Sequence, residues 1–553
     1  MFNNLRKCGR TFILGLCFFL LTVNCAADNS YAIHEDITPA YLKAPLLLEN
    51  PNLDPSATWE FENSYLLSAL YDSLFTYSKD GEVLPNLALS LPEISNDGKQ
   101  YQISIRKDAV FSDDPCFKGG KGRSVSAADV IFSIKRIADP SNESGLWSLI
   151  AGRIAGLDEF RQRLETKKGT IDDPVEGLVA KNENELEIKL LNPSKQFVYI
   201  LGMTEFGIVP REAVEKYGNS FPQHPLGTGP FQFKYCDNKN VLLERRPNHW
   251  RFDFTKSGVS PDGIAFSFYD DPFSAFKSGD LDFILIPPNR LHSYLDESFQ
   301  LKRDVKQKGY NVLTAASPAN YYLFFNYEEP IVNNAELRRA ISLAVPWHIV
   351  SDKTDLCHAS FVPRGITGHV DMKYEWNPGK AKEALKRAGY PDGQGLPELI
   401  IRFTDYGIML RHAGMVEDAL EAVGISTRID FSEEDIEGAH LGFFGWIMDY
   451  PDAENFLVQL DSRAIPPEGE NNGHYTNTSY DILLDRASRA VGVERSTIYQ
   501  KAVRLIYEDV AAIPFRQPVE YWALGPRIIN MECMFGYISW PRILMHSVPK
   551  SSE

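Results

Sequence analysis

An apolar run over residues 441–448 ends in an acidic turn. The run is short, rich in aromatic side chains and stopped by Pro451, which predicts a buried strand followed by a turn. Asp449 stands at the predicted end of that strand. An ionised carboxylate beside so much apolar surface is costly unless a cation or hydrogen-bond donors meet it. Asp449 therefore either caps the turn or the next helix, or pairs with the cationic group of a ligand.

The first 318 residues combine helical and strand-like patterns. Leucines at helical spacing predict a core-facing helix over about residues 60–74. Residues 75–210 indicate a mostly β region, because polar and apolar positions alternate with period two at 101–106 and 185–190. The glycine-rich turn at 227–231 lacks the lysine of a phosphate loop, so its glycines are expected to let backbones pass closely.

A third region begins near residue 320. Its first element, residues 321–326, is predicted to be a buried strand by its aromatic density. Helical patterns follow at residues 335–345, 380–388 and 412–423. The chain therefore contains mixed α/β regions on both sides of a segment with many short strands, and we expect an α/β protein.

The N-terminal residues have the layout of a secretory signal. Arg6, Lys7 and Arg10 precede an apolar run at 11–23, which is too short for a comfortable membrane span. We expect residues 1–27 to be a signal peptide. The residues before Cys25 also resemble a lipoprotein cleavage box, in which Cys25 would be acylated, although the position before it is not the small residue expected there. The protein is therefore expected to be exported, either free or tethered by its N-terminus.

Length and charge narrow the class of protein. The 553 residues suggest about three domains, and 44% hydrophobic with 24% charged residues is ordinary for a globular protein. The formal net charge of −17 argues against nucleic acid and anionic lipid as partners. It is compatible with small cationic or zwitterionic ligands.

Motifs for catalysis and for metal binding are missing from the sequence. We find no nucleophile elbow, no zinc-protease helix and no dinucleotide fingerprint, and we predict neither a metal site nor a cofactor. Beyond the signal, the cysteines are scattered without zinc or redox spacing, so one disulfide is allowed but the sequence does not pair them; they are Cys25, Cys116, Cys236, Cys357 and Cys533. An aromatic content of 12% leaves room for a lined ligand cavity.

Nine short motifs follow one another in the order typical of one family. They are Leu53-Asp54-Pro55, the stretch from Leu70 to Phe75, the run from Asp97 to Phe111, the segment from Ser126 to Arg136, the segment from Gly227 to Trp250, Phe325-Asn326 with Leu337 to Ala340, the segment from Lys380 to Tyr390, Gly445 to Asp452, and Ile513-Pro514. In these motifs the chain resembles the family five extracellular solute-binding proteins, the peptide- and dipeptide-binding receptors of ABC importers. The resemblance covers about Leu53 to Tyr537.

The resemblance implies a two-lobed periplasmic-binding-protein clamshell of the class II type, with an additional β-rich domain inserted in the first lobe. In the family, ligand binding closes the lobes, and the closed form docks on permease subunits in the inner membrane. The expected segments are 28–74 for the start of lobe I, 75–210 for the inserted domain, 211–319 for the second part of lobe I, 320–515 for lobe II and 516–553 for the C-terminal part of lobe I. The resemblance also implies a periplasmic, monomeric protein without catalytic activity.

The resemblance implies a ligand site around Asp449. In peptide-binding members the acid at this position pairs with the α-ammonium group of the ligand, so this role is expected for Asp449. The other residues expected to contact the ligand lie beside it or approach from the first lobe: Trp446, Ile447, Met448, Trp59, Glu60, Phe61 and Tyr322. For the last of these, the neighbouring Tyr321 is an equal candidate, and one of the two tyrosines is expected to be core.

One departure bears on the ligand. Some dipeptide-specific relatives hold the ligand carboxylate with an arginine before the helix that here is predicted near His412, whereas Arg402 and Arg411 are out of register. We therefore expect oligopeptides rather than dipeptides alone. The alternatives that remain open are the same role for a metal chelate or a sugar, an exported hydrolase, and a sensory or chaperone role in a clamshell without a permease contact.

Overall fold

The computed structural model describes residues 41–57, 61–252, 260–350, 355–357, 359–403, 407–431, 438–466, 469–534, 537–538 and 540–546. The expected signal peptide and Cys25 lie outside these residues, as do Trp59 and Glu60. Phe61 is described only as the first residue of a helix. Residues 40–553 form one compact unit.

Strands and helices alternate along the described chain. The strands are β1 (Tyr41–Pro45), β2 (Phe75–Tyr77), β3 (Val83–Pro85), β4 (Glu93–Ile94), β5 (Gln100–Ser104), β6 (Leu178–Asn182), β7 (Glu185–Lys189), β8 (Phe231–Cys236), β9 (Asn240–Arg245), β10 (Gly263–Ser267), β11 (Phe283–Leu285), β12 (Asn311–Ala316), β13 (Ala319–Phe325), β14 (Leu399–Phe403), β15 (Thr427–Phe431), β16 (Leu441–Ile447), β17 (Ala512–Arg516), β18 (Val519–Leu524), β19 (Ile528–Asn530), β20 (Cys533–Met534), β21 (Tyr537–Ile538) and β22 (Leu544–Met545).

The helices are α1 (Phe61–Leu70), α2 (Ala127–Ala138), α3 (Trp147–Ile150), α4 (Leu157–Glu165), α5 (Phe197–Ile200), α6 (Arg211–Tyr217), α7 (Pro272–Ser278), α8 (Arg303–Gln307), α9 (Ala335–Ala344), α10 (Trp347–Val350), α11 (Pro378–Arg387), α12 (Gly407–Glu421), α13 (Glu454–Leu457), α14 (Thr478–Ala487) and α15 (Gly492–Asp509). The predicted helices correspond to α1, α9, α11 and α12, of which α12 begins five residues before the predicted start. Within the described ranges, no helix is both long and apolar enough to cross a membrane.

The sheets bring distant parts of the chain together. In the sheet β1-β10-β9-β8, the first strand runs parallel to β10, more than two hundred residues later. In the sheet β11-β18-β12, the strand near the C-terminus lies between two strands of the middle of the chain. The sheet β4-β5-β7-β6 is antiparallel and lies within residues 75–210, which also contain α2 to α5.

A five-stranded sheet, in the order β15-β14-β16-β13-β17, organises residues 319–516. Successive side chains of a strand point to opposite faces, so β13 and β16 contribute to two cores. Leu323 and Phe443 belong to the core that includes residues of α9, α11 and α12. Tyr322 and Trp446 belong to the other core, with residues of α13, α14 and α15.

The glycine-rich turn at residues 227–231 passes close to the end of α1. A Cβ atom on Gly227 would lie 2.3 Å from the Leu70 carbonyl oxygen, and one on Gly229 would lie 2.4 Å from the Leu70 carbonyl carbon. The prediction that these glycines permit close backbone approach is therefore confirmed. Asp72 fixes the same turn, because its buried carboxylate accepts a 2.9 Å hydrogen bond from Thr228 Oγ1.

Two crossings of the chain connect the five-stranded sheet to the rest of the molecule. They lie between β12 and β13 and between β17 and β18, and Ser317 N–H donates to Pro518 O at 2.8 Å between them. Gln517, which is fully buried, donates to the carbonyls of Ser317 and Arg364 and accepts from Arg364 N–H. These bonds fix the two crossings side by side.

No disulfide joins the cysteines of the described residues to one another. They are Cys116, Cys236, Cys357 and Cys533. Burial raises the pKa of Cys236 and of Cys357 to about 11. The disulfide that the sequence left open is therefore not formed among these four residues.

Candidate functional site

Asp449 lies in the turn after the central strand β16, and hydrogen bonds within the protein fix this turn. The strand ends at Ile447, and Met448 N–H donates to Pro318 O at 2.9 Å, next to the first chain crossing. Asp449 is half-buried. The predicted geometry, in which a strand carries Asp449 to its end and a turn follows, is what the structure contains.

Asn455 connects Asp449 to Trp446. Its side-chain oxygen accepts hydrogen bonds from Asp449 N–H at 2.9 Å and from Trp446 Nε1 at 3.0 Å, and its Nδ2 donates to Asp449 Oδ2 at 2.9 Å. Asn455 is 3% exposed. One amide therefore fixes the carboxylate of Asp449 and the indole of Trp446 relative to each other. Asn455 was not among the predicted site residues, although its place six residues after Asp449, in the first turn of α13, is a signal in the sequence.

The other predicted residues differ in their exposure. Trp446 and Met448 are buried, and Ile447 is half-buried. Tyr322 is buried in the core, where its hydroxyl donates to Gln459 Oε1. Of the two tyrosines considered, Tyr322 is thus the core residue. Tyr321 is half-buried, and Arg516 lies 4.8 Å from the centre of its ring.

A buried acid from the first half of the chain, Glu205, interacts electrostatically with Asp449. Glu205 is 4% exposed and accepts a hydrogen bond from Ser64, a buried residue of α1. Burial raises the pKa of Glu205, and the negative charge of Asp449 raises it further. No pattern in the sequence singles out Glu205.

The next turn of the chain holds a buried ion pair. Arg495 of α15 donates to both carboxylate oxygens of Asp452, at 2.5 and 3.0 Å, and Tyr499 hydroxyl donates to Asp452 Oδ1 at 3.0 Å. The Glu454 backbone N–H also donates to Asp452, at 2.9 Å. A bidentate pair of this kind is geometrically specific, so it anchors the turn to α15.

Comparison with known proteins identifies the family. Residues 82–465 match the family model described as bacterial extracellular solute-binding proteins, family 5 middle. The chain belongs to this family.

Relatives and solved structures agree with this membership. The chain is 25% identical over 510 residues to the periplasmic oligopeptide-binding protein OppA of Escherichia coli, covering 87% of each chain. It is 27% identical over 550 residues to heme-binding protein A of Haemophilus influenzae, covering 93% of this chain and 91% of the relative. The structure of HbpA2 from Haemophilus parasuis matches 92% of this chain and all of that chain, with a TM-score of 0.76 at 22% identity. The predicted two-lobed α/β fold is thereby confirmed.

In this family 5 protein, the two arginines near the expected carboxylate subsite differ in their surroundings. Arg402, at the end of β14, forms an ion pair with Asp430 at 2.9 Å. Arg411 lies within α12 and is exposed.

Among the described residues there is also no group of three or more metal-ligating side chains that could hold a metal ion.

Proposed function

We propose that this protein is the peptide-capturing component of an ABC importer, which binds oligopeptides between its lobes and delivers them to permease subunits. The observation that carries the proposal is the carboxylate of Asp449, which Asn455 fixes at the end of β16. Family membership supports the receptor role, and the oligopeptide-binding relative supports the ligand class.

The physical basis is a charge-assisted hydrogen bond to a half-buried carboxylate. The α-ammonium group of a peptide carries three donors and one positive charge, which match a carboxylate that is already oriented. Exposed main-chain groups of the peptide would be met by strand edges, which bind without reading the side chains.

The proposal extends to the setting of the protein. It would be exported to the periplasm by its N-terminal segment, act as a monomer without catalysis, and close around its ligand at the hinge formed by the two crossings. Closure would follow from the ligand's higher affinity for the closed state. A heme-like metal chelate is the second candidate ligand, since a relative of similar identity is a heme-binding protein.

Ligand binding to refolded protein tests the proposal. The protein is unfolded and refolded to remove bound solute, and thermal unfolding is followed with di- to hexapeptides, their N-acetylated forms and heme. A ligand that binds only the folded state raises the melting temperature. We expect a rise with free-amine oligopeptides and little with N-acetylated ones. A rise with heme alone would favour the second candidate.

Substitution of the anchor gives the sharper test. Asp449→Asn keeps the shape of the side chain and removes its charge, so it should weaken peptide binding by about a hundredfold or more, because breaking a buried charge pair costs about 3–5 kcal/mol. Asp304→Asn, an exposed acid in the first turn of α8, is the matched control and should bind as the wild type does. If both variants bound peptide with the affinity of the wild type, the role of Asp449 would be refuted.

A further inference from the structure

A second contact between the two halves of the chain lies beside the turn that carries Asp449. Gln196 Nε2 donates to Glu454 Oε1 at 3.4 Å, and the backbone N–H of Lys195 donates to Ser488 O at 3.3 Å. The ring of Tyr199 lies 6.3 Å from the ring of Tyr450. These contacts join the segment around α5 to α13 and the end of α14.

Electrostatic contacts strengthen the same interface. The guanidinium group of Arg495 lies 5.7 Å from the centre of the Tyr199 ring. Tyr450 hydroxyl donates to Glu454 Oε2 at 2.5 Å. Arg495 is already fixed by its ion pair with Asp452, so the second lobe presents a prearranged surface to the segment around Gln196.

The contact is not fully formed. Hydrogen bonds from N–H to oxygen are normally about 2.7–3.2 Å long, whereas those from Lys195 N–H and Gln196 Nε2 are 3.3 and 3.4 Å. Two buried polar atoms of the interface, Gln196 Oε1 and Arg495 Nε, have no hydrogen-bond partner among the described residues. One of these atoms accepts and the other donates, so they are complementary. A small further approach of the two lobes would shorten the crossing bonds.

We propose that Gln196 and Tyr199 form, with Tyr450, Glu454 and Arg495, an inter-lobe latch that stabilises the closed state without touching the ligand. The proposal rests on the receptor function proposed above, because it assigns a regulatory role to closure. The latch adds the same stabilisation to every closed complex, and it therefore sets how much differential affinity a ligand must supply.

The substitution Gln196→Glu tests the latch. It places a carboxylate beside Glu454, whose own pKa is raised by burial and by Asp452 and lowered by Arg153 and Arg495. At pH 7.5 the introduced carboxyl group should weaken peptide binding by about tenfold, which corresponds to about 1.4 kcal/mol. At pH 5 the two carboxyl groups can share a proton, so the loss should shrink. The other groups that interact with Glu454 are the phenols of Tyr450, Tyr480 and Tyr499.

Two further variants complete the experiment. Gln162→Glu introduces the same charge on the exposed side of α4 and should leave affinity unchanged at both pH values. Gln196→Ala removes the contact without adding charge, and it should weaken binding to a smaller extent and without pH dependence. It also keeps the test available if Gln196→Glu does not fold.

Small-angle scattering of ligand-free protein separates the latch from the ligand assignment. The latch predicts a larger radius of gyration for Gln196→Glu than for the wild type and Gln162→Glu. Identical radii and identical affinities in all three proteins would overturn the latch. If the wild type bound no peptide while the radii still differed as expected, the proposed ligand would be wrong and the latch would stand.

Discussion

Replacing Asn455 with Ala should uncouple the anchor from its strand. The substitution removes two hydrogen bonds to Asp449 and one to Trp446, all between 2.9 and 3.0 Å. Two donors, the Asp449 N–H and the Trp446 indole N–H, lose their acceptor. The carboxylate of Asp449 also loses the amide that orients it.

The expected loss of stability follows from the two donors that lose their acceptor. A buried donor left without a partner costs about 1–3 kcal/mol, so Asn455→Ala should lower the free energy of unfolding by about 2–6 kcal/mol. The value should lie toward the lower end, because Asp449 is only half-buried and water can reach its N–H. Peptide affinity should fall by about tenfold or more, since misplacing an orienting group loses part of a bond to a charged group that is worth about 1.5–3 kcal/mol.

The decisive readout is the ratio of the dissociation constants of an N-acetylated peptide and its free-amine form, measured by calorimetry. This ratio should be large in the wild type and much smaller in Asn455→Ala. Asn477→Ala is a matched control, because Asn477 accepts from Ser479 and Tyr480 N–H at the start of α14 and donates to Tyr475. The control should lose stability and keep the ratio. A ratio that is unchanged in Asn455→Ala would refute the positioning role.

Two further predictions concern buried charges. Burial, and to a smaller extent Asp449, raises the pKa of Glu205 above its value in the unfolded chain, so ionised Glu205 lowers stability at neutral pH, and this cost disappears as pH falls below about 4. Glu205→Gln should therefore raise the melting temperature of ligand-free protein at pH 7.5 and leave it unchanged near pH 4. A difference in melting temperature that does not depend on pH would contradict this. Asp54 accepts two hydrogen bonds from Arg136, at 2.9 and 2.6 Å, and both side chains are buried. Asp54→Ala leaves the charge of Arg136 buried and unpaired, so it should lower the free energy of unfolding in urea by about 3–5 kcal/mol. The double variant Asp54→Leu with Arg136→Met should recover much of this loss, and no recovery would contradict the prediction.

The sequence was informative where a local pattern decided the structure. The period of the apolar residues located α9 and α11, and Pro451 marked the turn after β16. The glycines at 227–229 were interpreted correctly because close backbone approach is a common reason for glycine. Family resemblance then supplied the two-lobed arrangement, which no local pattern contains.

The sequence was uninformative where residues far apart in the chain meet. Glu205 and Asp449 are separated by more than two hundred residues, as are Gln196 and Glu454, and neither pair has a spacing signal. Tyr322 illustrates a different limit. Both faces of β13 are covered, Tyr322 lying in the core with α13 to α15 and Tyr321 packing against the other core, so the strand pattern alone did not distinguish the two tyrosines.

Residues 449–455 offer a physical reason why ligand charge and lobe closure would be linked. Asn455 holds Asp449, while Glu454, its direct neighbour, contacts Gln196 on the other side of the interface. A ligand shifts an equilibrium only by its differential affinity for the two states, and the latch is the same for every ligand. Variants of Gln196 should therefore weaken the binding of free-amine and N-acetylated peptides by one common factor. Variants of Asn455 should weaken the binding of free-amine peptides selectively. If both sets of variants were selective, closure and recognition would be one process, and the latch would have no separate role.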